Sequence, residues 1–132
     1  MIGKLITFEG IDGSGKTTQI NLLEKKFIEE GYSFVIFREP GGTELSEKIR
    51  EILLDRNNMQ LSSITESLLF VAARSQLMSE KIMPALNNDQ LVICDRFMDS
   101  TVAYQGYGRG FDIDKINYIN NIATQCIKPD IT

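Results

Sequence analysis

The sequence predicts an α/β fold with a central parallel sheet flanked by helices, on three observations. Short apolar, β-branched runs alternate with amphipathic helical stretches along the chain. The first such junction carries Gly10-Ile11-Asp12-Gly13-Ser14-Gly15-Lys16-Thr17-Thr18, which fits G-x-x-x-x-G-K-[ST] from Gly10 to Thr17. The other charged motifs, Arg38-Glu39-Pro40 and Asp95-Arg96, also close apolar runs. Ligands gather at those carboxyl ends in parallel sheets.

Each element has a local reason. Leu5-Ile6-Thr7-Phe8 reads as the first strand. After the glycine-rich loop, Ile20, Leu23 and Phe27 recur at helical spacing, and Gly31 is a stop, so a helix is expected over about 15–30. Ser33 to Phe37 is a second strand, broken by Pro40 and the Gly41-Gly42 pair. Thr43 can cap the next helix, which carries Leu45, Ile49, Ile52 and Leu53 on one side. A long helix is expected from about Ser63 to Leu86, with Ser63 and Glu66 as a capping box. Its expected core stripe is Ile64, Leu68, Val71, Met78 and Ile82, with Phe70 and Arg74 as neighbours on its flank. Leu91-Val92-Ile93-Cys94 suits a strand buried on both faces. Phe97 to Arg109 reads as a turn-rich segment. Ile113, Ile116, Ile119 and Ala123 suggest a last helix, broken at Lys128-Pro129-Asp130 before Ile131-Thr132 opens another strand.

Composition narrows the function. At 132 residues and 42% apolar content the chain makes one globular domain at most. A net charge of −4 argues against a nucleic-acid-binding surface. There is no histidine, so a proton acceptor must be a carboxylate and an electrostatic catalyst an arginine, a lysine or a metal. Cys94 and Cys126 are not in a C-x-x-C pattern, and Cys94 reads as a small core residue in a reduced, cytoplasmic protein. A strand starting by about Lys4 leaves no room for a signal peptide, and no apolar run approaches transmembrane length.

The loop's chemistry is phosphate binding. Its glycines let backbone N–H groups turn inward toward an anion, and the following helix adds its positive end. Lys16 can reach β- and γ-phosphates, and the Thr17 hydroxyl can ligate Mg²⁺. Asp95 after a buried strand can hold Mg²⁺ through water, with Arg96 beside it for a phosphate; the bland alternative is an ion pair closing a strand end. Arg38 suits another phosphate or is a surface arginine. Glu9 is either near the metal or structural. By spacing alone Phe70 is a core aromatic, Arg74 a solvated helix residue, and Thr101, Tyr104 and Gln105 loop residues. A GTPase would show D-x-x-G after its second apolar strand, where this chain has Asp95-Arg96-Phe97-Met98. A deoxynucleoside kinase needs a base for a neutral hydroxyl, which Glu9 or Glu39 supplies only weakly.

The blocks FEGIDGSGKTTQ, REPGGT, ESLLFVAARSQ and CDRFMDSTVAYQGYGR, in that order, resemble the thymidylate kinase family. The resemblance covers about Leu5 to Thr132. It implies a three-layer P-loop NTPase-type fold: a single kinase domain over 1–132, truncated before the last strands, the adenine-contacting segment and the lid. It implies that Gly10 through Thr18 hold the ATP phosphates, with Lys16 on the transferred group and Thr17 on Mg²⁺. Asp12 then meets the 3′-hydroxyl of the deoxyribose. Arg38 and Arg96 hold the phosphate of thymidine monophosphate, and Asp95 assists through the metal and its waters. Phe70 stacks on thymine, Arg74 bonds its O4 edge and Thr101, next to Ser100, its N3 edge. Tyr104 lies under the sugar, and Gln105 belongs to the same block. A homodimer is implied as well. Some family members carry an arginine inside the P-loop where this chain has Gly13. A small residue there resembles the branch that supplies the arginine from a lid.

Overall fold

The computed structural model describes residues 3–58 and 60–132. Three parallel strands, β1 (Lys4–Phe8), β2 (Phe34–Arg38) and β3 (Leu91–Asp95), form a sheet of order β1-β3-β2. Ile6, Ile93 and Ile36 lie abreast, as do Leu5, Val92 and Val35. Alternation along the strands then divides the core in two. Ile6, Ile93 and Ile36 face α1 (Lys16–Glu30), which supplies Ile20, Leu23 and Phe27. Leu5, Val92, Cys94, Val35 and Phe37 face α3 (Ser63–Leu77) and its continuation, which supply Leu77, Met78, Ile82 and Leu86. The three-layer expectation holds, and Val92, Ile93 and Cys94 are fully buried. The P-loop strand β1 lies beside β3, and its other edge is met by Ile131 in a parallel bridge to Ile6.

The helices depart from expectation in instructive ways. Thr43 does cap α2 (Glu44–Leu54), accepting from Ser46 N–H at 3.0 Å. Of α2's expected apolar side only Ile49 is buried; Leu45 and Ile52 are exposed, because Ser46 rather than Leu45 turns inward to bond Ala73 O. The cap of α3 is Ser62, not Ser63: its hydroxyl accepts from Thr65 N–H. The expected core stripe holds at Val71, Met78 and Ile82 but not at the start of α3. Ile64 and Leu68 are 55% and 51% exposed, and the inward face is Ser67, Val71, Arg74, Leu77 and Met78. α3 runs into a π-helical stretch (Met78–Ile82) and then α4 (Met83–Asn87). Met83 N–H bonds Met78 O, five residues back. Pro84 has no N–H and would crowd the carbonyl four residues before it, so the wider register relieves that conflict.

The segment expected to be turn-rich is helical. α5 (Met98–Thr101) passes into a second π-helical stretch (Val102–Gly108). Tertiary packing overrides the glycines: a Cβ on Gly106 would come within 2.5 Å of Ile113 Cδ1, so this glycine permits close contact with α6 (Ile113–Ala123). α2 and α6 both pack on α3, and Arg74 of α3 reaches Glu39 after β2, Phe97 and Thr101 around α5, and Asn120 of α6.

Candidate active site

The glycine-rich loop joins β1 to α1. Gly13 and Gly15 have φ of 77° and 95°, a region glycine enters without strain. α1 has no side-chain cap, so its first N–H groups are left for an anion. Lys16 Nζ donates to Ile11 O at 3.2 Å, bracing the loop from within. Asp12, Gly13, Gly15, Lys16, Thr17 and Thr18 line a cavity of about 360 Å³. Gly10, Ile11 and Ser14 shape the loop without lining it: Gly10 O accepts from Arg96 Nη1, and Ile11 O from Ser14 N–H.

Four cations surround this cavity. Lys16 and Arg96 come from the two motif ends, Arg38 ends β2, and Arg50 reaches in from α2. Arg96 adopts φ 72°, a left-handed conformation that non-glycine residues rarely take. Its side chain is fixed from several directions: Nη2 lies 2.7 Å from Asp12 Oδ1, Nη1 donates to Gly10 O, and the guanidinium sits 5.6 Å from the Tyr104 ring centroid. Burial disfavours the Arg96 cation, but the Tyr104 hydroxyl and Asp12 outweigh it and raise the pKa. Arg38 sits at the rim, paired with Glu47 at 3.0 Å. Arg50 donates to Pro40 O; burial, then the nearness of Arg38, lower its pKa. Against them stand the carboxylates of Asp12, Glu39 and Asp95, so the positive excess is small, and it is the open N–H groups of the loop together with these cations that describe an anion site. Arg50 was not expected from sequence. The signal was its place four residues after Ser46, on the side of α2 that turns inward.

Asp95 ends β3 at this cavity, and its Oδ1 is buried with no hydrogen-bond partner among the described residues. A buried carboxylate oxygen of that kind calls for a water or a cation. Among the described residues no group of three or more Asp, Glu, His or Cys gathers to hold a metal. A cation here would therefore take the Thr17 hydroxyl, Asp95 through water and the phosphate oxygens of a ligand, a donor set that suits Mg²⁺. Glu9 has a structural part: its oxygens accept from Phe97 N–H (2.7 Å) and the Ser100 hydroxyl, anchoring the start of α5.

A second cavity of about 310 Å³ opens beside the first, and Asp12, Glu39, Arg50 and Arg96 border both. Its walls are Pro40, Leu54, Phe70 and Tyr104 with Arg74, Ser100, Thr101 and Gln105. Apolar walls with a few fixed polar groups suit a nucleoside. Phe70 is half-buried, so it is a wall and not the core aromatic that spacing suggested. Arg74 is 2% exposed, against its reading as a solvated residue. Nε donates to Glu39 Oε2 (2.6 Å), Nη1 to Thr101 Oγ1 and Asn120 Oδ1, and Nη2 to Phe97 O, with Nη2 also 2.6 Å from Glu39 Oε2. All of a guanidinium's donors are thereby placed. The O4 contact that the resemblance implies would be shared with one of these acceptors, and Arg74's main contribution there is a fixed positive charge. Thr101 likewise turns its oxygen to Arg74. Glu39, which the sequence offered only as a weak base, keeps Oε1 buried and unpartnered; burial raises its pKa, and Arg74 opposes the rise.

Fold and site together define a P-loop-type α/β protein with a nucleoside-sized cavity opening onto an anion site. The family model for thymidylate kinase matches residues 8–132, and the chain belongs to that family. Over 132 residues it is 55% identical to the thymidylate kinase of Caldanaerobacter subterraneus subsp. tengcongensis, covering 100% of this chain and 63% of that protein. It is 53% identical to that of Geotalea daltonii, covering 99% and 61%. A crystal structure of thymidylate kinase from Ehrlichia chaffeensis superposes with a TM-score of 0.90 at 46% identity, covering 100% of this chain and 74% of that one. The chain thus spans a little under two thirds of the length of these two relatives.

Proposed function

We propose that the full-length protein transfers the γ-phosphoryl group of ATP to thymidine monophosphate, giving thymidine diphosphate for dTTP synthesis. The observation that carries this is the shared wall of the two cavities. Arg96 and Arg50 border both, so an acceptor phosphate held there faces the P-loop. In this reading residues 10–18 hold the ATP phosphates. Lys16 follows the transferring group, and Arg38, Arg50 and Arg96 hold the acceptor phosphate. Asp12, on the boundary, meets the sugar, with Tyr104 beneath it. Phe70 stacks on the base, while Arg74, Ser100, Thr101 and Gln105 face its edge. Thr17 and Asp95 hold Mg²⁺, which when bound neutralises charge on the phosphates.

The acceptor oxygen is ionised at neutral pH, so no general base is needed, in keeping with a chain that has no histidine. Catalysis is alignment plus charge stabilisation by Lys16 and Arg96. Asp12 and the strained backbone hold Arg96 in place before the acceptor arrives.

The apolar side chains Ile64, Leu68, Tyr118 and Ile122, left exposed on the adjoining helices α3 and α6, support a homodimer through this face. The free thiols of Cys94 and Cys126 support a cytoplasmic setting, and no described helix is long and apolar enough to cross a membrane. A thermal-shift panel of nucleoside monophosphates tests the substrate. Thymidine monophosphate should raise the melting temperature most; a larger rise with a purine monophosphate would overturn the assignment.

A further inference from the structure

Behind the nucleoside cavity three side chains form a relay that ends at its wall. Arg109 Nη2 donates to Leu61 O at 2.9 Å, and its Nη1 lies 3.2 Å from Glu66 Oε2. Glu66 Oε1 accepts from Gln105 Nε2 at 2.7 Å. Gln105 is 4% exposed and lines the cavity. A carboxylate only accepts hydrogen bonds, so Glu66 can take only the NH₂ end of the Gln105 amide. The carbonyl oxygen is left on the other side of the amide, and no described residue donates to it. Because Glu66 is itself mostly buried, with a side chain 19% exposed, the charge-assisted bond is strong enough to hold one amide orientation.

We infer that Glu66, steadied by Arg109, is a specificity-positioning residue: it locks Gln105 with its carbonyl oxygen toward the base and so selects thymine over cytosine. This rests on the reading of the cavity as the thymidylate site. Thymine carries N3–H between two carbonyls, and a fixed acceptor pairs with it. Cytosine has an unprotonated N3, which would set acceptor against acceptor. A glutamine free to rotate would present its oxygen to one base and its NH₂ to the other. Glu66 removes that choice without touching the ligand.

The test compares thymidine and deoxycytidine monophosphates as substrates for full-length wild type and Glu66→Gln. An amide at position 66 accepts or donates, so Gln105 regains both orientations. The expected result is a KM for thymidine monophosphate raised roughly 2–10-fold, the net worth of one hydrogen bond. The KM for deoxycytidine monophosphate should fall, kcat for thymidine monophosphate should hold, and the ratio of the two kcat/KM values should drop about tenfold. Arg109→Met, which keeps the carboxylate but loosens it, should move the ratio the same way by less and serves if Glu66→Gln folds poorly. A purely structural role for Glu66 would lower both substrates together; an unchanged ratio in both variants overturns the inference. Wild type that neither binds nor phosphorylates thymidine monophosphate would overturn the underlying reading as well, a distinct outcome.

Discussion

Replacing Arg74 by leucine tests whether the arginine is a brace buried among the elements of the site. Both members of the Arg74–Glu39 pair are almost wholly buried, with side chains 2% and 4% exposed. Removing one partner of such a pair typically costs about 3–5 kcal/mol, because the other charge is stranded. Here the stranded group is Glu39, which already has one oxygen unpartnered. Asn120, Thr101 and Phe97 O lose their donor too, so the upper end of that range is expected. For a chain of this size 3–5 kcal/mol is a fall of roughly 10–20 °C in melting temperature. The pH dependence carries a second signature. Burial raises the Glu39 pKa even with Arg74 present. A raised folded pKa gives stability that is complete below the unfolded value and lost as pH rises through the folded one. Arg74→Leu should raise that pKa further, so the variant should lose stability more steeply than wild type as pH rises above the ordinary 4.5. Adding Glu39→Gln should flatten the curve and restore part of the loss. Urea unfolding across pH for the two single variants and the double closes the cycle. A loss below about 1 kcal/mol for Arg74→Leu, or strict additivity in the double, would refute the buried brace.

Three other outcomes follow. Phe70→Ala should raise the KM for thymidine monophosphate by the equivalent of about 1–3 kcal/mol of stacking while barely moving the melting temperature. A loss of ~3–5 kcal/mol in stability would make it a core residue instead. Lys16→Ala should remove turnover and weaken ATP, whereas Arg50→Ala should weaken thymidine monophosphate more than ATP; calorimetry with each nucleotide separates the two. Asp130, hydrogen-bonded by Lys4 Nζ and then by Leu5 N–H, has a carboxyl held below the ordinary 3.8. Its contribution is therefore present above that value and lost as pH falls through the folded pKa. Asp130→Asn should be less stable than wild type at neutral pH, and the gap should close in acid.

Much of the fold was legible because its signals are local. The P-loop, the cap at Thr43 and the apolar run of β3 each depend on neighbours in sequence, and the parallel sheet follows from their alternation. The site residues at strand ends were legible for the same reason: topology carries Lys16, Arg38, Asp95 and Arg96 to one edge. The rest depended on contacts distant in sequence. The inward phase of α3 could not be read from Ile64 and Leu68, since a buried arginine occupies the centre of the true face. That face is stable only because Glu39, Phe97, Thr101 and Asn120 arrive from elsewhere to satisfy it. The helical state of 98–108 runs against local propensity and is fixed by packing at Gly106. Arg50 lies outside any motif, and although Glu39, Glu66 and Gln105 fall within the recognised blocks, only the folded chain shows what they face.

The most direct test of the central claim follows both nucleotides at once. Full-length protein, ATP and thymidine monophosphate are incubated with Mg²⁺, and phosphorus NMR records the products. Phosphoryl transfer across the shared wall of the two cavities predicts ADP and thymidine diphosphate in equal amounts, with little inorganic phosphate, and loss of both products in Arg96→Ala. ATP consumption that yields inorganic phosphate without thymidine diphosphate, or unaltered transfer in Arg96→Ala, would contradict it.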